Sequence, residues 1–325
     1  MINANDRAIC LRQTDEQFII LSVIFLGVSM FKGVFLSVLS SSLFGGLYYY
    51  ATLLMPLTGQ QIYGWRMLLT FPFITAFLWF SGDFHLVTKL FQRIKQKPIL
   101  ILYLAISSGL LGVQQLLFMW APINGRAMQV SEGYFLLPLT MLLVGRFVYR
   151  EHLTPIQILA GISAAIGVGH EVLQMGGISW ETALVACGFP IYFMWRRYLD
   201  ANHLGGFWFD MMFILPVAAW FTTQVEDYSV TLSINHHLPL LLLFLALISA
   251  IAFIAYIISS RLLPLSLFGL LGYVEPVWLV IVSILLGETI SQAQLFTYVP
   301  IWCAVALLVL EGILSLVHKV RLRYA

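Results

Sequence analysis

Apolar residues run along this chain in blocks of about twenty, broken by short clusters of charge and turn residues, with no sustained strand-like alternation. Breaking the chain at those clusters predicts helices near 33–54, 62–81, 98–119, 125–148, 154–173, 178–195, 205–224, 238–260, 264–287 and 292–317. A helix of roughly 20 apolar residues crosses a hydrocarbon core about 30 Å thick, whereas a barrel strand would show about ten residues of alternating polarity. The expected fold is therefore all-α and polytopic, with ten transmembrane helices. The run from Phe18 to Phe31 is shorter, 14 residues or roughly 21 Å of helix, and Lys32 follows with no room for a loop. Residues 1–31 read as an N-terminal extension: an interfacial helix, or an addition upstream of a natural start at Met30. Residues 1–16 are not basic, so a signal peptide is not expected.

Composition agrees with this class. The 325 residues are 60% hydrophobic and 10% charged, with a mean hydropathy of +0.91, where soluble domains carry about a quarter charged residues. The net charge of +2 says little; where the cations lie says more. With the first helix starting in the cytoplasm, inner segments hold Lys32, Lys89, Arg93, Lys95, Lys97, Arg146, Arg150, Arg196, Arg197, Arg261, Lys319, Arg321 and Arg323, and the outer loops hold only Arg126. The positive-inside rule then puts both termini in the cytoplasm, in accord with an even number of spans.

Two local patterns recur. WRMLLTFP, from Trp65, is echoed by FDMMFILP, from Phe209, with an offset of 144 both for Arg66 and Asp210 and for Pro72 and Pro216. GYFLLP is echoed by GYVEP, and REHLTPIQ by GETISQAQ, with Glu151 and Glu288 separated by 137. Helices two, four and five thus map onto seven, nine and ten. Five helices per half is an odd number, so the second half enters the membrane from the opposite side, an inverted repeat as used by many transporters. The divisions are 1–31, a first repeat at 32–174, a second at 175–317, and a basic tail at 318–325.

KGVFLSVLSS, WRMLLTFPF, LLFMWAPIN, SEGYFLLPL, MWRRYL, LPVAAW, SRLLPLSLFGLLGYVEP, LLGET and PIWCAVALLVLEG together resemble the drug/metabolite transporters with paired EamA domains, and among them the RarD-like permeases. The resemblance covers about residues 32–317. It implies efflux or exchange of small metabolites through a central cavity, in the plasma (inner) membrane of a bacterium, with no enzymatic step. An arginine at Arg66 and an acidic residue at Asp210 follow the family pattern. Gln129 stands where glutamate is frequent, Glu132 and Glu275 where apolar or small residues are common, and Leu137 where asparagine is usual.

An ionisable side chain at a helix centre costs about 2.5 to 3.5 kcal/mol on insertion scales, so it normally faces the bundle interior or a wet cavity. Arg66, Glu132, Asp210 and Glu275 meet that description. Arg66 and Glu132 sit about five and seven residues from the outer ends of their helices, a depth difference of about 3 Å, so Glu132 reads either as a structural partner of Arg66 or as a substrate or proton ligand. Glu275, near the midplane with Gly272 and Trp278 on its face, reads as a proton-responsive group or as a neutral acid bonded to backbone. Asp210 reads as a site residue or as a partner of Arg197 or Arg261. Tyr48 to Tyr50, Gln114, Gln115, Gln129, Tyr134, Tyr192, Tyr256 and Tyr273 are further candidates for a pocket lining, Gln114 and Gln115 sharing one broad face while Tyr134 points well away from Glu132. Pro72, Pro138, Pro216 and Pro276 are candidate helix breaks. Ser41 with Gly45, Ser42 with Gly46, and Gly161 with Ala165 follow the small-xxx-small spacing of close helix packing.

Cys10, Cys187 and Cys303 have no paired spacing, and the seven histidines no ligand spacing, so no metal, disulfide or cofactor is expected. No GxxxxGK[ST] motif is present. The expected activity is secondary transport by alternating access of amino acids, their derivatives or amphipathic drugs, with protons as a possible coupling ion. A flippase for lipids or lipid-linked metabolites is the alternative, and a membrane enzyme a weaker one. The expected partners are the small-molecule substrate and membrane lipids, not nucleic acid, for a monomer or homodimer.

Overall fold

A computed structural model describes residues 30–47, 49–51, 53–121, 126–175, 179–225, 228–275, 277–278, 281 and 292–324. In chain order the helices are α1 (Met30–Ala51), α2 (Gly59–Phe80), α3 (Phe84–Gln96), α4 (Ile99–Trp120), α5 (Ala127–Phe147), α6 (Pro155–Met175), α7 (Trp180–Tyr198), α8 (Leu204–Thr222), α9 (Tyr228–Ile234), α10 (Leu238–Leu262), α11 (Leu265–Leu271) and α12 (Gln292–Tyr324). Five of them, α1, α4, α6, α8 and α10, are long and apolar enough to cross a membrane. At 22 residues α4 is about 33 Å long.

Local chemistry sets the starts. Thr58 and Gln61 form a capping box at α2, with Thr58 N–H donating to Gln61 Oε1 at 2.8 Å and Gln61 N–H to Thr58 Oγ1 at 3.4 Å. Thr154 and Gln157 repeat that arrangement at α6, at 3.3 and 3.1 Å. The Thr154 hydroxyl also donates to Glu311 of α12 at 2.6 Å, fastening the two helices.

The predicted boundaries hold for most segments, and three differ. Residues 84–96, taken as charged loop, form α3, whose Val87, Leu90 and Ile94 repeat at helical spacing and are buried. The cations interleaved with them mask that stripe in a reading that breaks the chain at charge. A short helix, α9, lies in the loop between α8 and α10. The ninth predicted helix is broken: α11 ends at Leu271, Gly272 and Tyr273 form a turn, and helix resumes at Val274. Pro276, residues 279–280 and residues 282–291, with Glu288, lie outside the described residues, as do residues 1–29.

Among the described residues the main packing pairs are α2 with α8, α5 with α7, α5 with α11, and α6 with α12. α10 packs on α2 as α4 packs on α8, and α4 also packs on α7. α1 lies against α10, with Ser259 donating to Gly33 O at 2.8 Å and Phe44 edge-on to Phe253 at 5.3 Å.

The two overlapping small-residue pairs in α1 separate. A Cβ on Gly45 would stand 2.6 Å from Trp278 Cβ, while one on Gly46 would meet nothing within 4 Å. Gly45→Ala is therefore expected to lower thermal stability, at a cost of about 1 to 3 kcal/mol typical of overpacking. Gly46→Ala should be neutral or stabilising by up to about 1 kcal/mol from helix propensity. Thermal unfolding of the two variants in detergent checks the contrast.

Candidate functional site

A cavity of about 50 Å³ lies between the helices, walled by α1, α2, α4, α5, α7, α8, α10, α11 and the turn after it. That is room for a few water molecules, well below the roughly 300 to 1,000 Å³ of ligand pockets. Among the described residues α6 and α12 contribute nothing to its wall. Most of the wall is aromatic or aliphatic, with Phe44, Phe118, Tyr134, Phe189, Phe207, Phe253, Tyr256 and Phe268 among its rings. Among the described residues its ionisable groups are Arg66, Glu275 and the tyrosines Tyr134, Tyr192 and Tyr256.

Arg66 is 0% exposed. Its Nε donates to Ser249 Oγ at 2.9 Å and its Nη1 to Gln115 Oε1 at 3.2 Å, while Nη2 has no hydrogen-bond partner among the described residues. The guanidinium carbon is 5.1 Å from the centre of the Phe253 ring and 5.9 Å from that of Phe44, a cation–π arrangement that partly offsets the lost hydration. Among the described residues no carboxylate is within ion-pairing distance of Arg66. Glu275 lines the same cavity within electrostatic reach of Arg66, and among the described residues its carboxyl has no hydrogen-bond partner. The backbone of Glu132 lies in α5, and its side chain lies outside the described residues, so the proposed Arg66–Glu132 pair does too.

Asp210 is fully buried in α8 and pairs with Arg196, not with Arg197 or Arg261 as its depth suggested. Arg196 Nη1 donates to Asp210 Oδ2 at 2.8 Å, Tyr192 O–H donates to the same oxygen at 2.9 Å, and Arg196 Nη1 donates to the Tyr192 oxygen at 2.5 Å. Arg196 Nη2 reaches the carbonyls of Ala201 at 2.6 Å and His203 at 2.7 Å, holding the turn into α8. One helical turn separates Tyr192 from Arg196, so both face Asp210, while Arg197 points about 100° away and takes Glu151 at 3.7 Å instead. Tyr192 also lines the cavity, which joins this network to the site.

The other candidates divide. Gln115 faces the cavity, but Gln114 turns to α7 and donates to Leu184 O at 2.8 Å, so the two do not share one face. Gly188 makes room for it. Gln129 is not a lining residue, and its carbonyl accepts from Thr182 at 2.7 Å. Tyr273 is a helix-to-helix fastener, its hydroxyl donating to Phe135 O at 3.1 Å, and Trp278 Nε1 donates to Ser42 at 2.7 Å. Pro72, Pro138 and Pro216 all lie inside unbroken helices, so none of the three is a helix break, and of them only Pro138 lines the cavity, with Gly269 and Gly272. Among the described residues no group of three His, Cys, Asp or Glu is placed to hold a metal.

Ser249, Phe44 and Phe253 are missing from the sequence reading, and Arg196 enters it only as an inner-segment cation. Ser249 had a signal: it lies 142 residues after Ser107, close to the 144 that separates Arg66 from Asp210.

On the loop side of α8, His203 Nδ1 accepts from Gly206 N–H at 3.2 Å and caps the helix. Burial, then the nearby charges of Arg196 and Arg261, push this imidazole down to about 4. The folded protein thus holds His203 neutral, so the stability it confers is present above about 6.5 and falls as pH drops from there towards 4. Thermal unfolding between pH 7.5 and 4.5 is expected to show that loss, and His203→Asn, which keeps a capping acceptor, to show less of it.

Fold and site define a polytopic helical membrane protein with a charged, aromatic-walled central cavity. The family described as "EamA-like transporter family" matches residues 31–169. An uncharacterised transporter of Pasteurella multocida is 43% identical over 290 residues, 89% of this chain and 99% of that one. The chloramphenicol-sensitive protein RarD of Pseudomonas aeruginosa is 41% identical over 277 residues, covering 85% of this chain and 93% of its own. A solved crystal structure superposes with a TM-score of 0.61 at 16% identity, over 86% of this chain and 98% of that one, so the two share a fold. The chain belongs to the drug/metabolite transporter superfamily, as a RarD-like permease of the EamA-like family.

Proposed function

We propose that this permease moves small amphipathic metabolites, such as amino acids, their derivatives or amphipathic drugs, by alternating access around the cavity, with protons as the coupling ion. The observation that carries the reading is Arg66: a buried guanidinium with one free nitrogen, open to a cavity and unmatched by a carboxylate among the described residues. A buried charge without a partner is costly, and an anionic or carbonyl group on the substrate would supply one. The aromatic wall suits the apolar remainder of such a molecule.

The ten spans fall into two inverted repeats in this reading. In support, three of the four closest packing pairs among the described residues join helices five spans apart, α2 with α8, α5 with α11 and α6 with α12, the fourth being α5 with α7. The pairing of α10 with α2 mirrors that of α4 with α8, and α1 on α10 mirrors α7 on α4. An axis between the halves would relate these contacts and place the cavity on it. With the basic segments inside, both termini face the cytoplasm of a bacterial inner membrane and transport runs outward.

Glu275 is the coupling group in this scheme, since proton binding changes its attraction to Arg66 in the same cavity. Thermal-shift screening of the purified protein against metabolite and lipid libraries identifies the substrate; stabilisation by lipid-linked molecules alone would favour the flippase alternative. In proteoliposomes, wild-type flux is expected to follow an imposed pH gradient, and Glu275→Gln to transport without that dependence. Full gradient dependence in the variant would remove Glu275 from the role.

A further inference from the structure

The end of α2 and the whole of α3 form an elbow that the cavity does not use. α3 leaves α2 at 104°, so where α2 crosses the membrane α3 runs along its surface. Val87, Leu90 and Ile94 are buried against the protein, and Leu86 meets Gly205 at the start of α8. The apolar surface continues outward: Trp79 is 69% exposed, Phe80 87% and Phe91 51%, and Trp79 packs edge-on against Phe84 at 5.7 Å.

Beside these rings stand three exposed lysines, Lys89, Lys95 and Lys97, none in an ion pair among the described residues. The Lys95 ammonium sits 4.9 Å from the centre of the Phe91 ring. Arg93 is used differently: its guanidinium donates to Leu199 O at 2.9 Å and Asp200 O at 3.2 Å. It ties the elbow to the turn between α7 and α8, the same turn that Arg196 holds from within.

Exposed rings next to unpaired ammonium groups, on a helix lying in the surface plane, match an anionic lipid: rings at the acyl boundary, lysines at the phosphate. We propose that the α2–α3 elbow is a binding surface for anionic phospholipid headgroups, and that lipid bound there steadies the α7–α8 turn through Arg93. A zwitterionic headgroup lacks the net charge that three lysines select. The inference uses the membrane placement of α2 and holds for either orientation of the chain.

The test is tryptophan fluorescence of the full-length protein in phosphatidylcholine vesicles carrying equal mole fractions of brominated phosphatidylglycerol or brominated phosphatidylcholine. The anionic lipid is expected to quench more, the excess shrinking in Trp79→Phe and vanishing in Lys89→Gln/Lys95→Gln/Lys97→Gln. The matching Lys→Arg triple variant should keep it. Equal quenching by both lipids in the wild type, or an excess that survives the glutamine variant, overturns the proposal. No substrate is needed, so a negative result here leaves the transport reading standing, and loss of transport activity leaves this one standing.

Discussion

Arg66→Met is expected to lower transport at least about 10-fold while leaving the protein folded. The guanidinium is wholly buried, keeps two neutral hydrogen-bond partners and has one nitrogen unused. Substrate that accepts from that nitrogen gains a charge-assisted hydrogen bond, worth about 1.5 to 3 kcal/mol. Losing one or two such bonds lowers flux by about 10-fold to more than 100-fold, since each 1.36 kcal/mol is a factor of ten. Stability should move little, because removing a buried charge that has no counter-ion among the described residues relieves a desolvation penalty while two hydrogen bonds are lost. Flux in proteoliposomes and thermal unfolding in detergent separate these effects. Unfolding of Arg66→Met, or wild-type flux from it, would make Arg66 a structural residue.

Asp210→Leu is expected to do the opposite and damage the fold first. Asp210 and Arg196 are both 1% exposed and 2.8 Å apart, and removing one member of a buried pair costs about 3 to 5 kcal/mol because the other charge is left stranded. Arg196→Met in the same chain removes that stranded charge, so the double variant should be more stable than the sum of the singles predicts. A coupling of at least about 2 kcal/mol in a double-mutant cycle, read by thermal unfolding, is the expected outcome. Additive losses would mean that the pair contributes no more than its separate side chains.

Much of this was legible from residue type and spacing. Arg66 and Asp210 stood out because burying charge is expensive, and the 144-residue offset between them falls on α2 and α8, which pack against each other. Glu275, in an apolar run beside Gly272, was found on the same ground, and both residues line the cavity. Spacing alone could not choose between neighbours: Gln114 and Gln115 differ by 100° around α4, and only the position of α7 decides which one it takes. Nor could it choose between Arg196 and Arg197 as the partner of Asp210. Phe44 and Phe253 were illegible because an aromatic in an apolar helix looks the same whether it meets lipid, another ring or a guanidinium. α3 was hidden by the assumption that charge ends a helix, which fails for a helix lying along a surface.

The account stands on a cavity at Arg66 that opens to each side of the membrane in turn. Ser41 lines that cavity and is buried in this conformation. Cysteine placed at Ser41, in a chain whose Cys10, Cys187 and Cys303 are replaced by serine, can be labelled with a membrane-impermeant maleimide in right-side-out and in inside-out vesicles. Labelling from both faces is predicted, with substrate or low pH shifting the ratio between them. Labelling from one face only, or from neither, under every ligand and pH condition would contradict it.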